Sequence, residues 1–161
     1  MAKLIQNNQI VPSSGFSKIF TNNVAVSITN VTYETTVLSF TIPANTMLAN
    51  SCLDMDFLFE TSLTNNLRAF RVYIGGIIVA TFAVQNIASA AHRRFLFNRN
   101  SQTTQIMLAP GLRANNSIGN FNAVPVQTNI DFTIDKLVTM TIANNNTTDT
   151  AIIHGATFLV Y

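Results

Sequence analysis

The stretch from Ala69 to Val84, AFRVYIGGIIVATFAV, does most to narrow the choice of fold. Its arms alternate in polarity and meet at Gly75-Gly76, which supplies the two positive-φ positions of a tight turn, so the segment reads as a two-residue β-hairpin. In that register Ile74 faces Ile77, Tyr73 faces Ile78, Val72 faces Val79 and Arg71 faces Ala80. One face then carries Phe70, Val72, Ile74, Ile77 and Val79, enough for one wall of a sandwich core. The other carries Tyr73, Ile78, Ala80 and Phe82, with Arg71 among them. In water this second face would be an apolar patch of the kind that marks an interaction site. Either another part of the chain covers it or a second copy does, and it is the expected subunit interface.

The same period of two recurs along the chain. In LDMDFLFETS, Leu53, Met55, Phe57 and Phe59 fall on one face while Asp54, Asp56, Leu58 and Glu60 fall on the other, the pattern of a half-buried strand. Val24 to Ile28 and Thr36 to Ile42 read as strands, the second stopped by Pro43, which cannot donate to a sheet ladder. HRRFLFN and TTQIML follow as a pair joined by polar residues, with Phe95 and Phe97 as the alternating core residues. NIDFTIDKLVTMTIANNN and AIIHGATFLVY close the chain, and the last strand is expected in the middle of a sheet. Only QNIASAA offers a place for a short helix. Residues 1–23, broken by Pro12 and Gly15, read as an extended arm, and the segment from Ala109 to Thr128 is long enough to be a contact loop. Eight or nine short strands without an internal repeat predict an all-β, single-domain antiparallel β-sandwich or jelly roll over residues 24–161.

Composition bears on what such a sandwich does. Of 161 residues only 10% are charged, against about a quarter in an ordinary soluble domain. Asn and Thr make up about a quarter of the chain instead, in keeping with turns and strands. Homo-oligomer interfaces are depleted in charge at their cores, so a weakly charged chain favours a second copy as the cover for the outer hairpin face. No apolar run reaches the roughly 20 residues of a membrane helix, and the first residues hold no apolar segment of signal-peptide length. Neither a membrane nor that route of secretion is expected.

Catalytic candidates are thin. His92 and His154 are the only histidines and lie in no metal-ligand spacing; His154 reads as a strand residue with one ring hydrogen bond. Asp54 and Asp56 read as a row of charge on one side of a strand, near Arg68 or Arg71, and nothing local completes a calcium site. Cys52, the single cysteine, reads as a small buried hydrophobe. Gly75-Gly76 is no phosphate loop, because no helix follows. Arg93, Arg94 and Arg99 cluster in HRRFLFNR, but a net charge of +2 argues against nucleic acid. These arginines are expected to grip an acidic protein surface or pair across a subunit contact. No enzyme, cofactor or metal is expected.

The run TVLSFTIPANTMLANSCLDMDFLFETSLTNNLRAFRVYIGGIIVATFAV, with the later RRFLFNRNSQTTQIM and the C-terminal strand pair, resembles small virion proteins of tailed bacteriophages with a jelly roll related to the tumour-necrosis-factor fold. The resemblance covers roughly residues 36–161. It implies a homotrimeric head-decoration or cement protein that bridges subunits of the major capsid protein on the phage head, assembled in the host cytoplasm, with the arm tying it to its neighbours. The rival reading is a tail-fibre or spike module that recognises host saccharide, for which the only tyrosines are Tyr33, Tyr73 and Tyr161 and tryptophan is absent.

Overall fold

A computed structural model describes residues 4–6, 9–11, 17–86, 88–108 and 125–161. Among the described residues thirteen strands are formed: β1 (Leu4–Gln6), β2 (Gln9–Val11), β3 (Ser17–Asn22), β4 (Val26–Thr29), β5 (Thr35–Ile42), β6 (Cys52–Thr61), β7 (Arg68–Ile74), β8 (Ile77–Val84), β9 (Ser89–Asn98), β10 (Gln105–Leu108), β11 (Pro125–Thr128), β12 (Lys136–Asn144) and β13 (Thr150–Val160). No helix occurs among the described residues, so none there is long and apolar enough to cross a membrane. At QNIASAA, where a helix was possible, Ser89 already opens β9.

Two antiparallel sheets stack. The larger has seven strands in the order β11-β10-β9-β6-β13-β3, with β4 also on β13; the smaller has the order β5-β12-β7-β8. After β3 and β4 the chain crosses to the small sheet (β5), back (β6), across for the hairpin β7-β8, back (β9), across (β12) and back (β13). The last strand thereby lies between β3 and β6, which is the wrapping of a jelly roll. The fold is an all-β antiparallel sandwich.

Side-chain alternation fills the space between the sheets. Leu53, Met55, Phe57 and Phe59 of β6 share the buried interior with Phe70, Val72 and Ile74 of β7. Phe59 stacks on Phe70 with ring centroids 4.1 Å apart, and Phe40 meets Phe158 edge-on at 4.7 Å. The fully buried rings among them, Phe59, Phe70 and Phe158, each contribute roughly 1.5–3 kcal/mol through removal from water.

The asparagine bias finds its use in the turns. Among the described residues every non-glycine with positive φ is an asparagine, namely Asn30, Asn45, Asn50, Asn86 and Asn100, and this residue tolerates the left-handed region at least cost after glycine. Gly75 and Gly76, at φ 57° and 81°, form the hairpin turn as expected.

Three sequence expectations change. Ser17–Asn22, inside the segment expected to be an arm, pairs with β13 as a strand of the large sheet, because its Ile19 and Phe20 find the core; Phe20 stacks on Phe40 at 4.1 Å. β1 and β2 pair only with each other. Pro125–Thr128, assigned to the long loop, forms β11, and residues 109–124 lie outside the described residues.

The third change concerns the opening hairpin. Tyr73 faces Ile78 as expected, but Val72 faces Ala80 and Phe70 faces Phe82, so Val79 is an extra residue in a β-bulge. One inserted residue reverses the alternation beyond it. Ala80 and Phe82, expected on the outer face, are completely buried inside the sandwich, while Ile78 keeps its outward place at 37% exposure.

Candidate functional site

With Ala80 and Phe82 turned inward, the outer face of the small sheet becomes largely hydroxylic. It carries an ion pair centred on Glu34, which accepts hydrogen bonds from Arg71 (2.9 Å), from the Tyr73 hydroxyl (2.6 Å) and from Thr141. Burial raises the Glu34 carboxyl, but the Thr141 and Tyr73 hydroxyls and the Arg71 charge outweigh it and hold it below the usual carboxylate range. Arg71 and Tyr73 are thus engaged within the chain, tying the segment before β5 across the sheet.

The large sheet presents a different outer face, and strand β9 sets it. Antiparallel pairing places His92 opposite Phe57, Arg94 opposite Met55 and Leu96 opposite Leu53. The apolar side of β6 belongs to the core, so its partners must point inward too. His92 and Arg94 are therefore buried, and Phe95 and Phe97, expected in the core, point out. Phe97 is 49% exposed and stacks with Phe95 at 5.9 Å.

Inside, Phe82 compensates for the polar intruders. The His92 ring stacks on it at 4.4 Å and the Arg94 guanidinium lies 5.2 Å from its centroid. Burial, then the Arg94 charge, pushes the His92 imidazole down to about 4, so it is neutral at pH 7. Burial also lowers Arg94. Neither His92 Nε2 nor Arg94 Nη1 has a hydrogen-bond partner.

Outside, Arg93 is the pivot. Its Nε donates to Asp54 Oδ1 at 2.8 Å and its Nη2 to Asp54 Oδ2, a two-pronged bond to a carboxylate that is fully buried. The same Nε lies 3.6 Å from Asp56, whose side chain is 49% exposed. The bond to Asp54 raises Arg93 further above its ordinary range. Asp56 is raised by burial and by the Asp54 charge, against the pull of Arg93. The Tyr161 hydroxyl donates to Asp54 Oδ2 at 3.3 Å, and the Arg93 guanidinium lies 5.0 Å from the Phe95 ring. The partner of Asp54 and Asp56 is therefore Arg93, where the sequence suggested Arg68 or Arg71.

Two hollows flank this cluster. One is an open groove of about 770 Å³ lined by Asp56, Leu58, Ser89, Ala91, Arg93, Gly155 and Thr157. The other is a smaller apolar slot of about 160 Å³ lined by Arg93, Phe95, Phe97, Ile106 and Pro125, with Arg94 and Met107 at its floor. Beyond the groove, His154 Nε2 and Glu60 Oε2 are 2.6 Å apart.

No family model matches the chain, and no curated protein does either. Among solved structures it is similar to a carbohydrate-binding module, CBM36, in complex with calcium and xylotriose, at TM-score 0.43 and 11% identity over 89% of this chain and 91% of that one. It is also similar to a structure of infectious bursal disease virus, Gt strain, at TM-score 0.41 and 11% identity, covering 99% of this chain but 37% of that one. A third likeness is to peanut lectin with a 9mer peptide, at TM-score 0.38 and 9% identity over 91% of this chain and 90% of that one. The jelly roll itself is read from this chain's own strand order.

The arginine cluster is divided by its strand. Arg93 and Arg99 are exposed, Arg94 is inside, and Arg99 sits on the turn after β9. Cys52 is half-buried, and burial, then Asp54, pushes its thiol up to about 11, which makes it a poor nucleophile. No group of three or more potential metal ligands occurs among the described residues.

One buried site was not foreseen. Arg68 and Asp149, both fully buried, lie 3.4 Å apart, and Arg68 donates to Asn66 O (2.7 Å), Thr64 Oγ1 (2.6 Å) and Ser62. It clamps the turn before β7 to the turn before β13. The run TSLTNNLR already held the acceptors, two to six residues ahead of the arginine.

Proposed function

We propose that this protein is a non-enzymatic structural subunit of a phage particle, a trimeric head-decoration protein that bridges subunits of the major capsid protein. The observation that carries the reading is the placement of large apolar side chains on the outside of a chain with 10% charged residues. Leu58, Phe97 and Tyr161 stand out from the large sheet, and Ile78, Ile134 and Leu137 from one end of the small one. Covering such a side chain is worth roughly 1.5–3 kcal/mol, and several together offset the cost of association. Of the arginine cluster, Arg93 and Arg99 are the exposed members that would meet a capsid surface, Arg93 beside its carboxylate partners Asp54 and Asp56, and repeated contacts would add by multivalency. The test is labelling of purified particles with a gold-tagged antibody. Label distributed over the head supports the proposal, and its absence from particles refutes it.

The Phe95-Phe97 pair favours a second reading, recognition of host saccharide. Stacked rings beside a slot of about 160 Å³, with Arg93 in its lining, present an apolar platform and a polar group to a sugar ring. Label confined to the tail, together with a saturable hit on a glycan array, would favour it.

A further inference from the structure

We propose that the clamp between Arg68 and Asp149 binds one buried water molecule, held by Arg68 Nε, Asp149 Oδ2 and Asn144 Oδ1. The site stands independently of what the protein assembles with.

The three residues meet at one end of the sandwich. Asn144, the last residue of β12, is the register partner of Arg68, the first of β7, and its amide nitrogen donates to the backbone oxygen of Asp149 at 3.1 Å. Arg68 Nη2 lies 3.4 Å from Asp149 Oδ1. All three residues are buried, so a polar atom they leave unmet cannot turn to bulk solvent and costs free energy until it finds a partner.

Most of their polar atoms are served within the chain. Arg68 Nη1 donates to Asn66 O (2.7 Å) and Thr64 O (3.3 Å), and Nη2 donates to Ser62 and to Thr64 Oγ1. Asp149 Oδ1 accepts from Thr64 Oγ1 at 3.0 Å and from Asn66 Nδ2 at 3.3 Å. One atom on each residue is left over: Arg68 Nε, Asp149 Oδ2 and Asn144 Oδ1 have no partner in the protein. The Asn144 amide cannot turn over to relieve its oxygen, because its nitrogen faces two carbonyls, those of Asp149 and Ile28.

The ion pair itself shows where a bridging molecule belongs. Nε and Nη2 form the edge of a guanidinium that grips a carboxylate with two prongs. Arg93 grips Asp54 in that way, from Nε to Oδ1 at 2.8 Å and from Nη2 to Oδ2. Arg68 meets Asp149 through Nη2 alone. A molecule that accepts from Nε and donates to Oδ2 completes the fork.

Counting donors identifies that molecule. The site offers one N–H and two acceptors, one of them a carboxylate oxygen. A cation has no lone pair for the N–H and is repelled by the guanidinium, while an anion would face two acceptors. Water accepts once and donates twice, and buried waters make about three hydrogen bonds to groups of this kind. So placed, it extends the clamp to the end of β12 and joins the turns before β7 and β13 in one three-way contact.

A high-resolution crystal structure of the full chain, together with water-selective NMR of the isotope-labelled protein in solution, tests the site. The expected result is one density peak about 2.7–3.2 Å from all three atoms, with a through-space cross peak between water and the Arg68 Nε–H. A direct bond from Nε to Oδ2 with no peak between them overturns the proposal. A peak that touches Asp149 and Asn144 but stands off Nε also overturns it, since that is how a bound cation would sit. A crystal peak without the cross peak in solution overturns it too, because the site would then fill in the crystal only.

Discussion

Replacement of His92 by phenylalanine should remove a specific acid sensitivity from the fold. His92 is 2% exposed, its ring lies against Phe82 and Phe59, and burial with the nearby Arg94 charge lowers its pKa from 6.5 to about 4. The folded protein therefore holds a neutral imidazole where the unfolded chain takes up a proton near pH 6.5. Stability contributed by the neutral ring is fully present above that pH and is lost as pH falls toward 4, at about 1.4 kcal/mol per pH unit for one proton. Over that interval the loss is about 3 kcal/mol at most. A phenylalanine does not titrate and leaves no unpartnered Nε2 in the interior, so His92→Phe should be as stable as the parent or more so at pH 7.5. Urea unfolding from pH 7.5 to 4.5 measures the effect. The difference between the two proteins is the informative quantity, because Glu34 and Asp131, both lowered, lose stability in acid while Asp56, raised, does the reverse. The variant should gain on the parent steadily below pH 6.5. Parallel curves over the whole range would refute the buried neutral histidine.

Further perturbations separate the roles of neighbouring residues. Phe82→Ala should cost about 3–5 kcal/mol in denaturant unfolding, since it opens the core and removes the ring beneath His92 and Arg94. Ile78→Asp, four residues earlier on the same strand, should change the unfolding free energy by less than about 1 kcal/mol, because the bulge leaves Ile78 outside. Asp149→Ala should cost about 3–5 kcal/mol by stranding the buried Arg68 charge, and proteolysis should then cut first near residues 62–67. Glu34→Gln should weaken the tie to Arg71 and Tyr73 and reduce the acid sensitivity below pH 4.5, read by the same urea titration.

The sandwich was legible because period-two alternation in β6 and the Gly75-Gly76 turn admit few alternatives. The position of β13 within a sheet was also expected, and it lies between β6 and β3. The bulge at Val79 was not legible: nothing in GGIIVATFAV marks which residue is extra, and that single insertion exchanges Ala80 and Phe82 between the faces. β9 was misread for another reason. Taken alone, HRRFLFN favours aromatic side chains inside and charges outside, yet its register is dictated by β6, whose apolar face admits one orientation only. The aromatic ring of Phe82 then makes His92 and Arg94 tolerable. Had β9 been read against β6, the outward Phe95-Phe97 pair and the contact between Arg93 and Asp54 would have followed from sequence.

The central claim, that this jelly roll exists to assemble with itself and with a larger particle, is tested most directly by multi-angle light scattering of the purified full chain at micromolar concentration. The account predicts a mass three times that of the 17.6 kDa chain. A single species at the mass of one chain would contradict it.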